Sequence, residues 1–544
     1  MSKVTPPSRL DVLVVGAGFG GMYMLHRLRG LGLAAHVVEA GAGVGGTWYW
    51  NRYPGARCDV ESMQYSYSFH DELQQGWRWS ERFAAQPEIL RYANHVADAL
   101  DLRRDISFET RVTGARWDEA AGGWRVATDR APEITARHLV LATGCLSSAR
   151  LPDIPGIERF AGRVLHTGQW PHEGVDFTGQ RVGVIGTGSS AIQAIPVIAE
   201  QAARLTVFQR TPNFSIPSRN APMDAPYEQS WKQDYAARRA AARKMRTGIL
   251  YELNPKSALE VTEEEREAEY ERRWQAGGTA FMASFSDLLL NKEANDTAAE
   301  FVRRKIRAMV HDPAVAEALA PTNHPIGTKR ICVDTRYYET FNRANVKLVN
   351  LRQDPLEEVT ETGIRTRSGT HELDALVCAT GFDAMTGTIL AMDLRGVGGL
   401  SLRQLWADGP RAHLGLMAAG FPNMFLITGP GSPSVLSNMI VSIEQHVDWV
   451  TELLARMQAR GLTRVEPTAE AQDAWVAHVN EVAHRTLYPQ ANSWYMGANI
   501  PGKPQLFMPY VGGVGTYRER CDAIAAEGYP GFTLTAGARA VAAE

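Results

Sequence analysis

Cysteine is scarce in this chain. Five residues, Cys58, Cys145, Cys332, Cys378 and Cys521, lie singly along 544 positions, and no two form a CxxC pair. That spacing excludes a disulfide framework, a zinc ribbon and a dithiol redox centre, and it suits a reducing, cytoplasmic setting; no metal site is expected. No uninterrupted apolar run approaches the roughly 18 residues of a spanning helix, so no membrane partner is expected. Residues 10–25 are apolar and follow Lys3 and Arg9, but Asp11 and regular glycines interrupt them and no small-residue cleavage site follows, which argues against a targeting segment. Excess positive charge is missing too. With 57 Lys and Arg against 60 Asp and Glu, the net charge of −3 leaves no electrostatic footprint for nucleic acid.

What is present is an ordinary globular composition, 44% hydrophobic and 22% charged, in a chain too long for one core. Residues 11–15 form a short apolar run that reads as a buried parallel strand and enters Gly16-Ala17-Gly18-Phe19-Gly20-Gly21, after which 22–29 reads as a helix. In such a turn Gly16 permits the tight bend, Gly18 lets a pyrophosphate approach the backbone, and Gly21 lets helix pack on strand. The next strand, 36–38, ends at Glu39, where a carboxylate suits a ribose diol and repels a 2'-phosphate; this half should bind FAD or NAD. The pattern recurs. Residues 181–185 lead into Gly186-Thr187-Gly188-Ser189-Ser190-Ala191, and the strand 205–208 ends in Gln209-Arg210 instead of an acid. A guanidinium there suits an additional phosphate, so the second half should bind NADP(H).

The fold class expected is α/β, with two Rossmann-like dinucleotide-binding domains and a helical insertion in the second. The divisions are 1–148 and 382–544 for the first domain, 149–220 and 325–381 for the second, and 221–324 for the insertion. Residues 86–100 read as a helix with Pro87 in its first turn, and 106–128 as a β-meander. A capping box at Thr262-Glu263-Glu264-Glu265 opens a charged helix in the insertion. The strands 139–143 and 375–380 both end in Ala-Thr-Gly, exits suited to crossings between domains beside a cofactor. The last dozen residues, rich in Ala, are expected to fray.

Two dinucleotide sites without a CxxC leave a flavin that is reduced by NADPH and passes its electrons elsewhere. Here the chain resembles the type I Baeyer–Villiger monooxygenases. Their fingerprint, FxGxxxHTxxW followed by Pro or Asp, is complete in Phe160, Gly162, His166, Thr167, Trp170 and Pro171. Their GGxWxxxxYPGxxxD motif is complete from Gly45-Gly46-Thr47-Trp48 through Tyr53-Pro54-Gly55 to Asp59. The likeness spans essentially the whole chain, including 48–62, 179–190, 429–446 and 491–504. One departure is Ala191, where many members carry Gly.

The resemblance implies FAD and NADP(H) as cofactors, O2 and a small-molecule ketone as partners, and an ester or lactone as product through a C4a-peroxyflavin. It implies that Arg330 stabilises the peroxyanion and its adduct, with Asp59 holding it in place. It further implies that Arg210, Thr211 and Lys329 clamp the 2'-phosphate, that Thr47, Trp48, Ser189 and Gln193 line the cofactor sites, and that Trp494 closes over NADP. Ser434, Val435, Leu436 and Met439 are then expected at the ketone pocket. His166 invites assignment as a general base, but its place in a connector points to a structural role in domain movement. Two alternatives stand beside this: a flavin monooxygenase oxidising N or S atoms, and an NADPH-sensing flavoprotein without turnover. A monomer or weak homo-oligomer is expected.

Overall fold

A strand that is apolar on both faces must be covered on both faces, and such strands precede both glycine turns. In the computed structural model, which describes residues 4–536, Arg9–Val15 is an inner strand of an eight-stranded sheet. It pairs in parallel with Ala35–Val38 on one side and Ile134–Leu141 on the other. The antiparallel strands Val112–Asp118 and Gly123–Thr128 extend the sheet beyond Ile134–Leu141. Asp393–Arg395 and Met424–Leu426 then pair in parallel with Val112–Asp118 and Ile134–Leu141, so the chain beyond residue 382 returns to this sheet. The meander expected over 106–128 needs correction: Ile106–Ser107 joins the opposite edge, in parallel with Ala35–Val38, and the third meander strand is Ile134–Leu141. A two-residue strand is too short to carry a readable alternation.

The second sheet has five strands, all parallel, in the order Val346–Asn350, Arg204–Gln209, Arg181–Ile185, Ala375–Cys378, Arg163–His166. Helix Ser189–Gln201 covers one face with Ala191, Ile192, Ile195 and Ile198, all buried. The expected pair of dinucleotide-binding folds is therefore present. The insertion serves both of them. Glu263–Ala276, opened by the capping box between Thr262 and Glu265, and Lys292–Met309 pack Tyr270, Trp274, Phe301 and Val302 into the second core. Ala225–Gln233 and Tyr235–Ala242 instead pack Trp231 and Tyr235 into the first. Buried Arg239 secures that contact by donating to the Gln64 carbonyl at 2.7 Å and to Ser66 Oγ at 2.6 Å. Helical periodicity specifies a buried face but not which core receives it.

Fraying at the C-terminus is corrected for Phe532–Thr535, which pairs antiparallel with Arg464–Pro467. Residues 537–544 lie outside the described residues. No helix among the described residues is long and apolar enough to cross a membrane.

Candidate active site

The first glycine turn is closed to side chains. Gly16 has φ +102°, and a Cβ there would stand 2.7 Å from the Ala142 carbonyl oxygen; a Cβ at Gly21 would stand 1.8 Å from that of Gly16. Gly18 faces Gly46 (φ +54°), backbone against backbone, which leaves a bare cradle of the kind a pyrophosphate requires. Glu39 is buried and accepts from Ala17 N and Gly41 N, both at 2.7 Å. Burial pushes its pKa up while those two N–H groups oppose the shift, so the carboxylate ties the turn to the following loop. Thr47 opens the short helix Thr47–Trp50, and Trp48 Nε1 donates to the Tyr65 hydroxyl at 3.0 Å. These residues fit FAD.

The second turn is as tight at Gly186 (φ +123°), where a Cβ would stand 2.4 Å from the Ala379 carbonyl oxygen, but it opens at its next glycine. A Cβ on Gly188 would meet nothing within 4 Å, just ahead of the helix that begins at Ser189. At the adjoining strand ends Arg210 and Arg352 are exposed and Lys329 is half-buried. Among the described residues none of the three stands in an ion pair. Burial, then Arg210 and Arg352, push the Lys329 pKa down, and Arg352 Nη2 reaches Thr211 Oγ1 at 3.5 Å. Arg210, Lys329 and Arg352 form one positive cluster with no carboxylate partner among the described residues, and a 2'-phosphate fits it.

Between the halves, Gly55 (φ +80°) lets the loop of residues 53–59 lie against the helix of the second domain; a Cβ there would stand 2.3 Å from the Gln193 carbonyl oxygen. Gln193 spends its amide on this loop, accepting from the Tyr53 hydroxyl at 2.8 Å and donating to the Arg57 carbonyl at 3.1 Å. The loop delivers Asp59 to Arg330. Arg330 Nε donates to Asp59 Oδ2 at 3.0 Å, Nη2 donates to Oδ1 at 2.9 Å and Oδ2 at 2.7 Å, and Nη1 donates to the Val435 carbonyl at 2.8 Å. The charge of Asp59 is the main reason that Arg330 is held even further above its ordinary pKa, against the opposing effect of burial. The guanidinium is thus a permanent cation in a fixed orientation.

The Tyr495 hydroxyl lies against the same guanidinium, within an apolar cluster that includes Val435, Tyr488, Phe507 and, at its edge, Leu146, Leu289, Leu436, Met439 and Trp494. The Trp494 and Tyr495 rings are 4.2 Å apart. Ser434 is fully buried at φ +23°, a conformation rare outside glycine, and its hydroxyl, beside the Cys145 thiol, makes no well-formed hydrogen bond among the described residues.

The fingerprint lies away from this cluster, on the crossings between domains. A Cβ on Gly162 would stand 2.4 Å from the Asp374 carbonyl oxygen, and Trp170 packs on Phe177 at 6.1 Å. His166 Nδ1 accepts from Gly168 N at 3.0 Å. Its Nε2 faces the carbonyls of Gly381 and Arg150 without a well-formed hydrogen bond to either. Phe382 packs edge-on to His166 at 6.0 Å, and Ala149 bridges to Phe382. Both Ala-Thr-Gly exits therefore run into the fingerprint. Burial lowers the His166 pKa, which keeps the ring neutral within a connector.

Residues 13–232 match the pyridine nucleotide-disulphide oxidoreductase family. A Baeyer-Villiger monooxygenase of Pseudooceanicola batsensis is 45% identical over 95% of each chain. A solved structure of an oxidized steroid monooxygenase bound to NADP shares 54% identity at a TM-score of 0.93, over 97% of this chain and 100% of that one. The chain belongs to the type I Baeyer–Villiger monooxygenases. A phenazine N-monooxygenase of Lysobacter antibioticus is also similar, 41% identical over 97% of both chains.

In this Baeyer–Villiger monooxygenase the disulphide chemistry in the matched family's description has no counterpart, because all five cysteines are free and buried. Sequence reasoning missed Arg352, Tyr488, Tyr495 and Phe507. Arg352 follows the strand that neighbours Arg204–Gln209 in the sheet, so only the strand order brings it to Thr211. The three aromatics lie beyond residue 480 and join Val435 through tertiary packing alone.

Proposed function

We propose that this chain uses NADPH and O2 to insert an oxygen atom beside a ketone carbonyl, giving an ester or lactone, and that Arg330 and Asp59 are the centre of that chemistry. The observation that carries this reading is the Arg330 guanidinium, gripped at two nitrogens by Asp59 where the two nucleotide-binding halves meet and bordered by an apolar pocket. Bound FAD, reduced by NADPH, supplies the electrons that activate O2. The chain's own residues do the rest. Arg330 places an unchanging positive charge where negative charge develops on oxygen during attack on a carbonyl, and Asp59 fixes its direction. The Arg330 side chain is 33% exposed, and the apolar cluster of Val435, Tyr488 and Phe507 borders it on one side. Arg210, Lys329 and Arg352 hold the 2'-phosphate, and Glu39 and the glycine turn of the first half hold FAD. Ser434, Val435, Leu436 and Met439 shape the choice among aromatic, cyclic and steroid-like ketones.

A second reading, oxidation at nitrogen, is favoured by one observation: the phenazine N-monooxygenase is similar over the whole chain. The test therefore sets a ketone panel beside an aromatic N-heterocycle. In the holoenzyme, Arg330→Ala should leave flavin reduction by NADPH near its normal rate and lower ester formation by about a hundredfold or more, the effect of losing roughly 3 kcal/mol of transition-state stabilisation. Ester formation that persists in Arg330→Ala, or N-oxide as the sole product of the unaltered enzyme, would overturn the proposal.

A further inference from the structure

The loop that follows helix Tyr235–Ala242 is fixed backbone against backbone. A Cβ on Gly515 would stand 2.5 Å from the Lys244 carbonyl oxygen, and one on Gly513 (φ +103°) would stand 3.0 Å from Arg246 Cγ. Val514 N donates to the Arg246 carbonyl at 2.9 Å, and Asn438 N donates to that of Thr247 at 2.7 Å. Gly248 (φ +66°) lies over Val441. The Gln64 side-chain amide takes both backbone groups of Leu250, accepting from its N at 2.7 Å and donating to its O at 3.2 Å. Asn438 and Val441 belong to the start of helix Met439–Arg460, whose first residue borders the apolar pocket. The loop is therefore held against the pocket's edge.

Three polar groups along this edge are left with binding capacity. Thr247 Oγ1 donates to the Tyr251 hydroxyl at 3.1 Å, and that hydroxyl donates to nothing among the described residues. Arg246 is exposed and has no carboxylate partner among them either, whereas Arg239 and Arg243, just ahead of it, are engaged with Gln64, Ser66 and Ser68. The third group is the Tyr488 hydroxyl, in the apolar cluster. Burial raises its pKa, Arg246 and then Arg330 oppose the shift, and Tyr251 adds to it. Tyr488 thus stands within electrostatic reach of the exposed cation, of the cation bound to Asp59 and of the second hydroxyl. A cation with two hydroxyl donors matches a carboxylate, and the cluster that Tyr488 shares with Val435 and Leu436 matches a hydrocarbon body.

We propose that Arg246, Tyr251 and Tyr488 form a second polar station at the edge of the ketone pocket, which binds a carboxylate carried by the substrate. The preferred ketones are then keto acids, with the carbonyl at Arg330, an apolar body along Val435 and Leu436, and the anion at Arg246. This rests on the reading of Arg330 given above and adds to it a substrate class.

The test is calorimetric binding to the FAD-loaded full chain with NADP+, using three ketones: benzylacetone, benzylacetone with a para carboxylate on its ring, and the methyl ester of that acid. The acid should bind about tenfold more tightly than its ester at low ionic strength, and the advantage should fade as salt screens the exposed guanidinium. Arg246→Gln should remove that advantage while changing benzylacetone affinity far less, and Arg246→Lys should keep most of it. Tyr251→Phe, which takes away one hydroxyl donor, should weaken the acid about threefold and leave its ester nearly unchanged. Equal affinity for acid and ester in the unaltered enzyme, or an equal loss for all three ketones in Arg246→Gln, would overturn the proposal. Binding to the oxidised enzyme involves no oxygen chemistry, so a failed acid preference and a failed Arg330→Ala result are separate outcomes.

Discussion

The two nucleotide-binding halves share a strand, a glycine turn and a helix, and they differ at two points that decide what each can hold. In the first half the third turn position is Gly21, where a methyl group would stand 1.8 Å from a backbone oxygen; in the second half the same position is Ala191, fully buried and accommodated. The first half ends its second strand in a buried carboxylate satisfied by two backbone N–H groups, whereas the second ends its own beside three cations with no carboxylate partner among the described residues. A tight turn with an acid fits a dinucleotide that remains bound. A turn open at Gly188 and flanked by cations fits one that carries a further phosphate and must leave each cycle.

Gly21→Ala against Ala191→Gly is the strongest way to break this comparison. The first should cost several kcal/mol through backbone overlap and yield protein that loses its flavin, read as absorbance per mole of chain and as a large fall in Tm. The second should cost only about 1 kcal/mol, the difference between Gly and Ala in a helix, and leave flavin content unchanged. Equal losses in both variants would show that the two turns are equivalent.

Arg210→Ala sharpens the charge difference. Losing a charged hydrogen bond of about 1.5–3 kcal/mol should lower kcat/KM for NADPH by roughly ten- to a hundredfold and leave that for NADH nearly untouched. Arg352→Ala should act in the same direction but more weakly, since Arg352 already spends one nitrogen on the Thr211 hydroxyl. A matched loss for NADH in either variant would remove that residue from the phosphate clamp.

The smallest effect is a pH dependence. Burial and two neighbouring guanidinium groups lower the Lys329 pKa in the free enzyme, and a bound phosphate must raise it again. Between the free and bound pKa values binding therefore takes up a proton, and NADPH affinity should weaken as pH rises through a window that opens below the ordinary lysine value of 10.5. NADH affinity should stay flat there. Calorimetric titration in buffers of different ionisation enthalpy would detect the proton uptake, and its absence would place Lys329 outside the phosphate site.

Much of this was legible in one dimension. Glycine turns, the acid or base after the second strand, and the capping box at Thr262 are local devices, each complete within about 25 residues, because backbone geometry and nearby charge act over short separations. The meeting of Asp59 and Arg330 could be named from a motif, but its cause could not: Gly55 must lie against the helix bearing Gln193 for the loop to reach across. The connector position of His166 follows from its place ahead of the second glycine turn, whereas its seat between the two crossings depends on Phe382 and the carbonyls of Arg150 and Gly381.

By itself, then, the amino-acid sequence determined two nucleotide-binding folds, each built on a parallel strand, a glycine turn and a helix, with opposite charge after the second strand. Tertiary structure alone decided that the inserted helices divide between both cores, that Arg352 stands beside Thr211, and that Tyr495 lies against Arg330. The physical reason is the same throughout. Periodicity and turn chemistry specify that a face is buried or a chain reversed, whereas the partner that completes a buried contact is chosen by packing between segments far apart in the chain.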